Sequence, residues 1–270
     1  MSIVTISRQA YSRGGEVAQR VAQTLGYRCI GRELVLDASK EFKLPETMFN
    51  RAIHDAPSLL ERITDRNKKY IACFQVALLR QLRLDFAVYH GLAGHFFVKD
   101  VPHALKVRII ADRDERLKTQ MERLNIEREE ALRILEHEDE ERREWSLNEY
   151  GIDTADPCLY DLVIHLGDIT VDDAAKLICY TVRSGPYRTT RQSQKTIEDL
   201  TLASEIRAAL IAIDLTADVR ANDGYVEVEV KFPPIPSREK KELVHEMKTV
   251  IRSLPGVRWV AVKTTGFVKG

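Results

Sequence analysis

The chain has 270 residues, of which 44% are hydrophobic, and its 41 Lys and Arg residues balance its 41 Asp and Glu residues. This length predicts one large or two modest domains with enough buried surface for a core. Zero net charge gives no general attraction to nucleic acid or to an anionic membrane, so we expect no nucleic-acid partner.

The sequence contains no apolar run near the roughly 20 residues that cross a bilayer, and no basic-then-apolar leader precedes its first apolar residues. We therefore expect a cytoplasmic protein without an integral membrane segment. Its cysteines are far apart and lack metal-ligand spacing (Cys29, Cys73, Cys158 and Cys179). This pattern favours buried thiols and predicts no metal site made of cysteine or histidine.

Residues 3–26 have the pattern of a strand, a glycine-bearing loop and a helix. Ile3, Val4 and Ile6 are typical of a buried strand, and apolar side chains recur at helical spacing from Val17 to Leu25. A helix N-terminus holds phosphate well, because it presents unpaired N–H groups and the positive end of its dipole. We predict that this loop binds an anionic cofactor through Arg8, Ser12, Arg13, Gly14 and Gly15.

This loop lacks two side chains of the P-loop pattern GxxxxGK[ST], whose lysine reaches the phosphates and whose hydroxyl holds Mg²⁺. Gly14 falls at the lysine position and Glu16 at the hydroxyl position. An arginine can replace lysine as a phosphate clamp, so Arg8 and Arg13 are the candidate cations. The carboxylate of Glu16 stabilises its own helix but would repel a phosphate there.

Strands and helices alternate over residues 3–182, which predicts a doubly wound, mostly parallel sheet covered on both faces. Further strands are expected at 27–30, 86–89, 106–111 and 162–166. Further helices are expected at 32–42, 70–84, 112–125, 127–148 and 171–182. Ligands of such sheets lie beyond the carboxyl ends of the strands, which places His90 opposite the first loop.

The pattern changes after residue 183. Residues 184–196 are rich in Gly, Pro, Ser, Thr and positive charge, which is typical of a linker. We therefore predict one domain at 1–183 and a second, smaller α+β domain at 197–270. The second has the order αββαβ, with a hairpin turn at residues 222–224 and strict alternation of apolar residues after it.

Three segments resemble the cytidylate kinase-like family, the divergent relatives of bacterial cytidylate kinase. They are ISRQ…S.GGE.A at residues 6–18, GYRCIGRELV at 26–35 and DPxxYDLVI at 156–164. The resemblance implies a P-loop kinase-like fold, ATP and Mg²⁺ as cofactors, and phosphoryl transfer to CMP or a related nucleoside monophosphate. Asp112, at the end of a predicted strand, is then the candidate side chain for holding Mg²⁺.

The resemblance also suggests roles for side chains beyond the loop. Arg32 and Glu33 could face the substrate, although an exposed ion pair is an equally good interpretation. Arg142 and Arg143 lie where a lid would bring arginines over the phosphates, with Arg13 as a further catalytic cation. The excess of acids over bases at 136–144 favours instead a solvated helix face.

The chain departs from this family at three places. Tyr11 and Arg13 replace two loop glycines, and Gly31 stands where the family has Asp. The family's GRG loop reads Gly-Leu-Ala at residues 91–93, where His90 is the candidate replacement for the missing arginine.

The C-terminal domain is similar to the BON domain, through the run DGYV at residues 223–226 and the run GVRWV at 256–260. This resemblance implies that the domain binds a ligand or mediates self-association. Two functions remain open for the whole chain. One is a nucleoside monophosphate kinase, and the other is a catalytically degenerate kinase fold that senses a ligand together with its BON-like domain.

Overall fold

The computed structural model describes residues 2–47, 66–214, 217–232 and 235–266. The first sheet contains β1 (Ile3–Arg8), β2 (Arg28–Ile30), β3 (Ala87–His90), β4 (Ala104–Ala111) and β5 (Leu162–Leu166). Its helices are α1 (Gly14–Leu25), α2 (Glu33–Phe42), α3 (Arg66–Leu82), α4 (Gly94–Phe97), α5 (Arg113–Leu124), α6 (Arg128–Tyr150) and α7 (Val171–Arg183). The C-terminal part contains α8 (Arg191–Leu210), β6 (Asp218–Asn222), β7 (Tyr225–Phe232), α9 (Ser237–Arg252) and β8 (Trp259–Gly266).

The first sheet is parallel throughout, with the order β2-β3-β1-β4-β5. One face is covered by a core that includes α2 and α3, and the other by a core that includes α1 and α7. The predicted parallel sheet flanked by helices is therefore confirmed. In this register Ile6 pairs with His90 and Val107, so β1, β3 and β4 all present their carboxyl ends to the loop after β1.

The predicted second domain is present as a three-stranded sheet with the order β6-β7-β8 and two helices. Side chains of β7 alternate strictly between exposed and buried, as its sequence predicts. The β6–β7 turn has positive φ at both central residues, 51° at Asp223 and 76° at Gly224. A twisted hairpin favours this turn, which Asp-Gly forms readily.

Helix α8 belongs to both cores. It begins at Arg191, inside the predicted linker, because Thr190 and Ser193 form a reciprocal cap at its N-terminus. Ile197 packs in the same core as α3, whereas Ile206 and Leu210 pack against the second sheet. A single continuous helix therefore joins the two sheets.

Two further sequence predictions can be compared with the described residues. Cys73 and Cys179 are buried thiols, but Cys29 and Cys158 are exposed, so the expectation of four buried cysteines is wrong. Nowhere in the described ranges does a helix combine the length and apolar character needed to cross a membrane.

We expect Ile197→Ala to lower the free energy of unfolding by about 2–5 kcal/mol, because the side chain is fully buried between α8 and the first sheet's helices. Glu198→Ala, at the exposed neighbouring position, is the control and should change it little. Urea denaturation of both variants measures the difference. Equal stability of the two would show that α8 is not packed on the first domain.

Candidate anion-binding site

The loop between β1 and α1 keeps a backbone shape that suits glycine, although two of its residues are larger. Tyr11 has φ of 56° and Arg13 has φ of 58°, both in the left-handed region. For a residue with a Cβ atom this conformation costs about 1–2 kcal/mol. The loop therefore retains its turn at a cost in stability.

The Ser12 hydroxyl is used to fix the loop. It donates to the carbonyl oxygens of Gln9 at 2.9 Å and of Ile109 at 3.4 Å, and the residue is only 1% exposed. Ser12 therefore ties the loop to β4. Any contact that it makes with a cofactor would come from its backbone.

Gly14 and Gly15 form the start of α1, where the N–H groups have no partner within the helix. A Cβ atom on Gly14 would lie 2.8 Å from Cβ of Arg8 and 3.3 Å from Cβ of Ile109. The stem of Arg8 thus fills the space in which a P-loop lysine would begin, which explains why a glycine stands there. A Cβ atom on Gly15 would meet only the His90 ring, at 3.8 Å.

Arg8 and Arg142 bring two partly buried cations together at the carboxyl end of β1. Nη1 of Arg142 donates to the carbonyl oxygen of Arg8 at 3.1 Å, and its Nη2 lies 3.6 Å from Glu138. Nε of Arg8 is buried and has no hydrogen-bond partner among the described residues. Burial and the charge of Arg142 lower the pKa of Arg8, while burial also lowers that of Arg142.

Two adjacent cavities open beside this arginine pair and share Arg8, Leu92 and Arg142 as lining residues. The first cavity, of about 550 Å³, is also lined by Ala10, Tyr11, Gly31, Arg32, Val35, Phe74, Tyr89, His90, Gly91, Arg123, Glu138 and Glu141. The second cavity, of about 740 Å³, lies between the loop and α6, and six arginines and four carboxylates line it. Both therefore present an excess of positive charge to an anion.

Three arginines of the second cavity, Arg108, Arg113 and Arg116, were not identified from the sequence. Arg116 is buried, donates from Nε to the carbonyl oxygen of Ala10 at 2.7 Å, and binds both oxygens of Asp139 at 2.7 Å. Arg108 donates to the carbonyl oxygen of Thr154 and to the Tyr160 hydroxyl. The sequence offers one hint that Arg116 is buried, which is its position directly before the apolar Leu117 on the same helix.

Arg13 and Arg143, two of the predicted catalytic cations, are about half exposed and are paired with acids. Arg13 binds Glu16 at 2.7 Å, and that bond raises the pKa of Arg13. Arg13 lines another cavity, of about 540 Å³, to which the loop after β5 also contributes lining residues. Arg143 lines the second cavity and binds Glu140 at 2.8 Å and Asp153 at 3.3 Å.

The three predicted substrate-binding residues lie beside one another at the first cavity. Arg32 and His90 line it, and Glu33 accepts a hydrogen bond from the Gly31 amide at 2.6 Å. Nδ1 of His90 is buried without a hydrogen-bond partner among the described residues, and burial lowers the pKa of the ring. A Cβ atom on Gly31 would lie 2.7 Å from Nε2 of His90, so His90 occupies the space of a side chain at position 31.

The described residues contain no group of three or more His, Cys, Asp or Glu side chains that could hold a metal ion by themselves. Asp112 lines the Arg13 cavity, and its Oδ1 lies 3.2 Å from Nε2 of His165. Mg²⁺ commonly uses one or two carboxylates together with substrate phosphates. A single aspartate beside the loop is compatible with that arrangement only when a phosphate supplies further oxygens.

Comparison with known proteins gave one family model and several solved structures. The model described as the cytidylate kinase-like family matches residues 3–168. An uncharacterized protein from Eubacterium ventriosum is similar at 21% identity and a TM-score of 0.53, over 68% of this chain and 100% of its own. Shikimate kinase from Bacteroides thetaiotaomicron reaches 8% identity and a TM-score of 0.43, over 68% and 99%. No curated protein matched the sequence.

We expect Arg13→Gly to be more stable than Arg13→Ala by about 1 kcal/mol, because only glycine adopts the left-handed conformation of this residue without steric cost. Both substitutions remove the same exposed ion pair with Glu16, so the comparison isolates the backbone conformation. Chemical denaturation measures it. Greater stability of Arg13→Ala than of Arg13→Gly would contradict the left-handed conformation of residue 13.

We expect Gly31→Ala to displace the His90 ring, because the new methyl group would lie 2.7 Å from its Nε2 atom. NMR spectra of the histidine side chains should show a shift of the His90 resonances. Gly15→Ala is the matched control, since its methyl group would contact the same ring at 3.8 Å, an ordinary distance. A larger shift of the His90 resonances in Gly15→Ala than in Gly31→Ala would contradict the placement of the His90 ring against position 31.

Proposed function

The chain belongs to the cytidylate kinase-like family, and from this premise we propose that it binds a nucleotide phosphate between Arg8 and Arg142. The supporting observation is the buried Nε of Arg8, which has no partner among the described residues although Arg142 lies beside it. A buried cation is expected to be paired, and guanidinium groups bind phosphate through parallel hydrogen bonds. The unsatisfied donor therefore favours an anion at this place.

The reaction that we propose is phosphoryl transfer from ATP to CMP or a related nucleoside monophosphate. Such catalysis depends mainly on positioning and on neutralising the phosphate charge. The acceptor would lie in the first cavity, with Arg32 and His90 in its wall and Glu33 next to them, bonded to the Gly31 amide. The transferred group would lie between Arg8 and Arg142, where the second cavity adds further arginines.

The ATP donor would use the start of α1. The amides of Gly14 and Gly15, with Arg13 at the same helix end, suit a phosphate chain. Bound Mg²⁺ would neutralise charge on that chain, and Asp112 is the carboxylate that borders the same cavity. Arg13 then assists the donor, and we assign the main clamp to Arg8 and Arg142.

The alternative is a degenerate kinase fold that senses a ligand and acts together with the BON-like domain. It is favoured by the pairing of Arg13 with Glu16 and by the use of the Ser12 hydroxyl inside the loop. In this proposal the shared helix α8 connects the ligand site to the second domain. That domain would bind a ligand of its own or mediate self-association.

We expect Arg8→Met to weaken binding of ATP or CMP at least tenfold, because methionine keeps the apolar stem but removes the charge. A tenfold loss corresponds to about 1.4 kcal/mol. Arg142→Met should act in the same direction. Arg13→Met is the matched control, and it should weaken binding less than Arg8→Met because its guanidinium is held by Glu16.

Calorimetric titration with ATP, CMP and their mixture, with and without Mg²⁺, provides the measurement, and thermal melting checks that each variant is folded. Equal losses of nucleotide affinity in Arg8→Met and Arg13→Met would contradict the assignment of the main phosphate clamp to Arg8. An assay of ADP release from ATP and CMP then separates the two functions. Turnover by the parent protein supports the kinase, and nucleotide binding without turnover supports the sensing module.

A further inference from the structure

A separate cavity of about 430 Å³ lies where the second domain meets the first. We call it the junction cavity. Its lining comes from α3, from α4 and the turn after it, and from the ends of α6 and α8: Lys68, Ile71, Ala72, Gln75, Phe96, Phe97, Lys99, Glu149, Tyr150, Ile152, Arg207 and Ile211. It shares none of these residues with the two cavities beside Arg8.

One wall of the junction cavity is aromatic. The rings of Phe96 and Tyr150 are stacked, with centroids 4.1 Å apart and planes inclined by 13°. Trp145 packs edge-on against Tyr150, with ring centroids 5.6 Å apart, and so supports the position of the Tyr150 ring. Ile152 is 39% exposed at this place and adds apolar surface to the wall. The wall therefore suits a flat or aliphatic body.

The charged residues of the lining are mainly positive. Lys68, Lys99 and Arg207 come from three different elements, and Glu149 is the single carboxylate of the lining. Burial raises the pKa of Glu149, and the nearby positive charge of Lys68 opposes that rise. One positive charge is thus balanced locally, and those of Lys99 and Arg207 remain in excess.

We propose that the junction cavity binds a small organic anion, with its carboxylate, sulfonate or phosphate at Lys99 and Arg207 and its apolar body on Phe96 and Tyr150. Ligand sites commonly combine an apolar wall with a few convergent polar groups and often lie between domains. Because Arg207 belongs to α8, the bound anion touches both domains. This site is independent of the proposed nucleotide site.

The test uses 8-anilinonaphthalene-1-sulfonate, an aromatic sulfonate whose fluorescence rises when it is bound in an apolar environment. We expect the full chain to bind one equivalent at this site. Arg207→Gln and Lys99→Gln should each weaken that binding at least fivefold; both residues are exposed, and thermal melting checks that each variant is folded. Arg252→Gln, an exposed arginine near the end of α9, is the matched control and should bind like the parent.

Two further measurements separate this site from the nucleotide site. Arg8→Met and saturating CMP should both leave the probe bound, whatever the outcome of the nucleotide titrations. Absence of binding, or equal affinity in the parent and the Arg207 variant, would overturn the proposal. Displacement of the probe by CMP in the parent but not in Arg8→Met would also overturn it, because the probe would then occupy the first or second cavity.

Discussion

Two arginine side chains hold the loop after β1 by binding its backbone carbonyl groups, and the candidate site depends on them. Arg142 of α6 donates to the carbonyl of Arg8, and Arg116 of α5 donates to that of Ala10. Asp139 then binds Arg116 from the opposite helix. Because buried carbonyl and guanidinium groups are costly to leave unpaired, these bonds fasten α5 and α6 over the loop.

This arrangement explains why the charge of the site lies away from the usual lysine position. The Arg8 stem lies where a side chain at Gly14 would begin, so the proposed main cation, Arg8, approaches from the strand rather than from the helix. A similar arrangement occurs nearby, where the His90 ring fills the space that a side chain at position 31 would occupy. A side chain at either glycine would therefore require its large neighbour to move.

The sequence was sufficient to predict the alternating elements, the parallel sheet and the small second domain, since hydrophobic periodicity is local. It could not show that Arg116 and Arg142 meet at the loop, because side chains from two helices converge only after packing. The pairing of Arg13 with Glu16 was predictable, since residues three apart at a helix start are neighbours. The basic composition of residues 184–196 concealed the start of α8, although Thr190 and Ser193 carry a capping signal.

The central claim is that Arg8 and Arg142 hold the phosphate of a bound nucleotide. A crystal structure of the full chain grown with CMP and ATP tests it most directly. The account predicts phosphate oxygens within hydrogen-bonding distance of Nε of Arg8 and of the Arg142 guanidinium. A complex in which all phosphate groups lie at Arg13 and the start of α1, and in which Nε of Arg8 still has no partner, would contradict it.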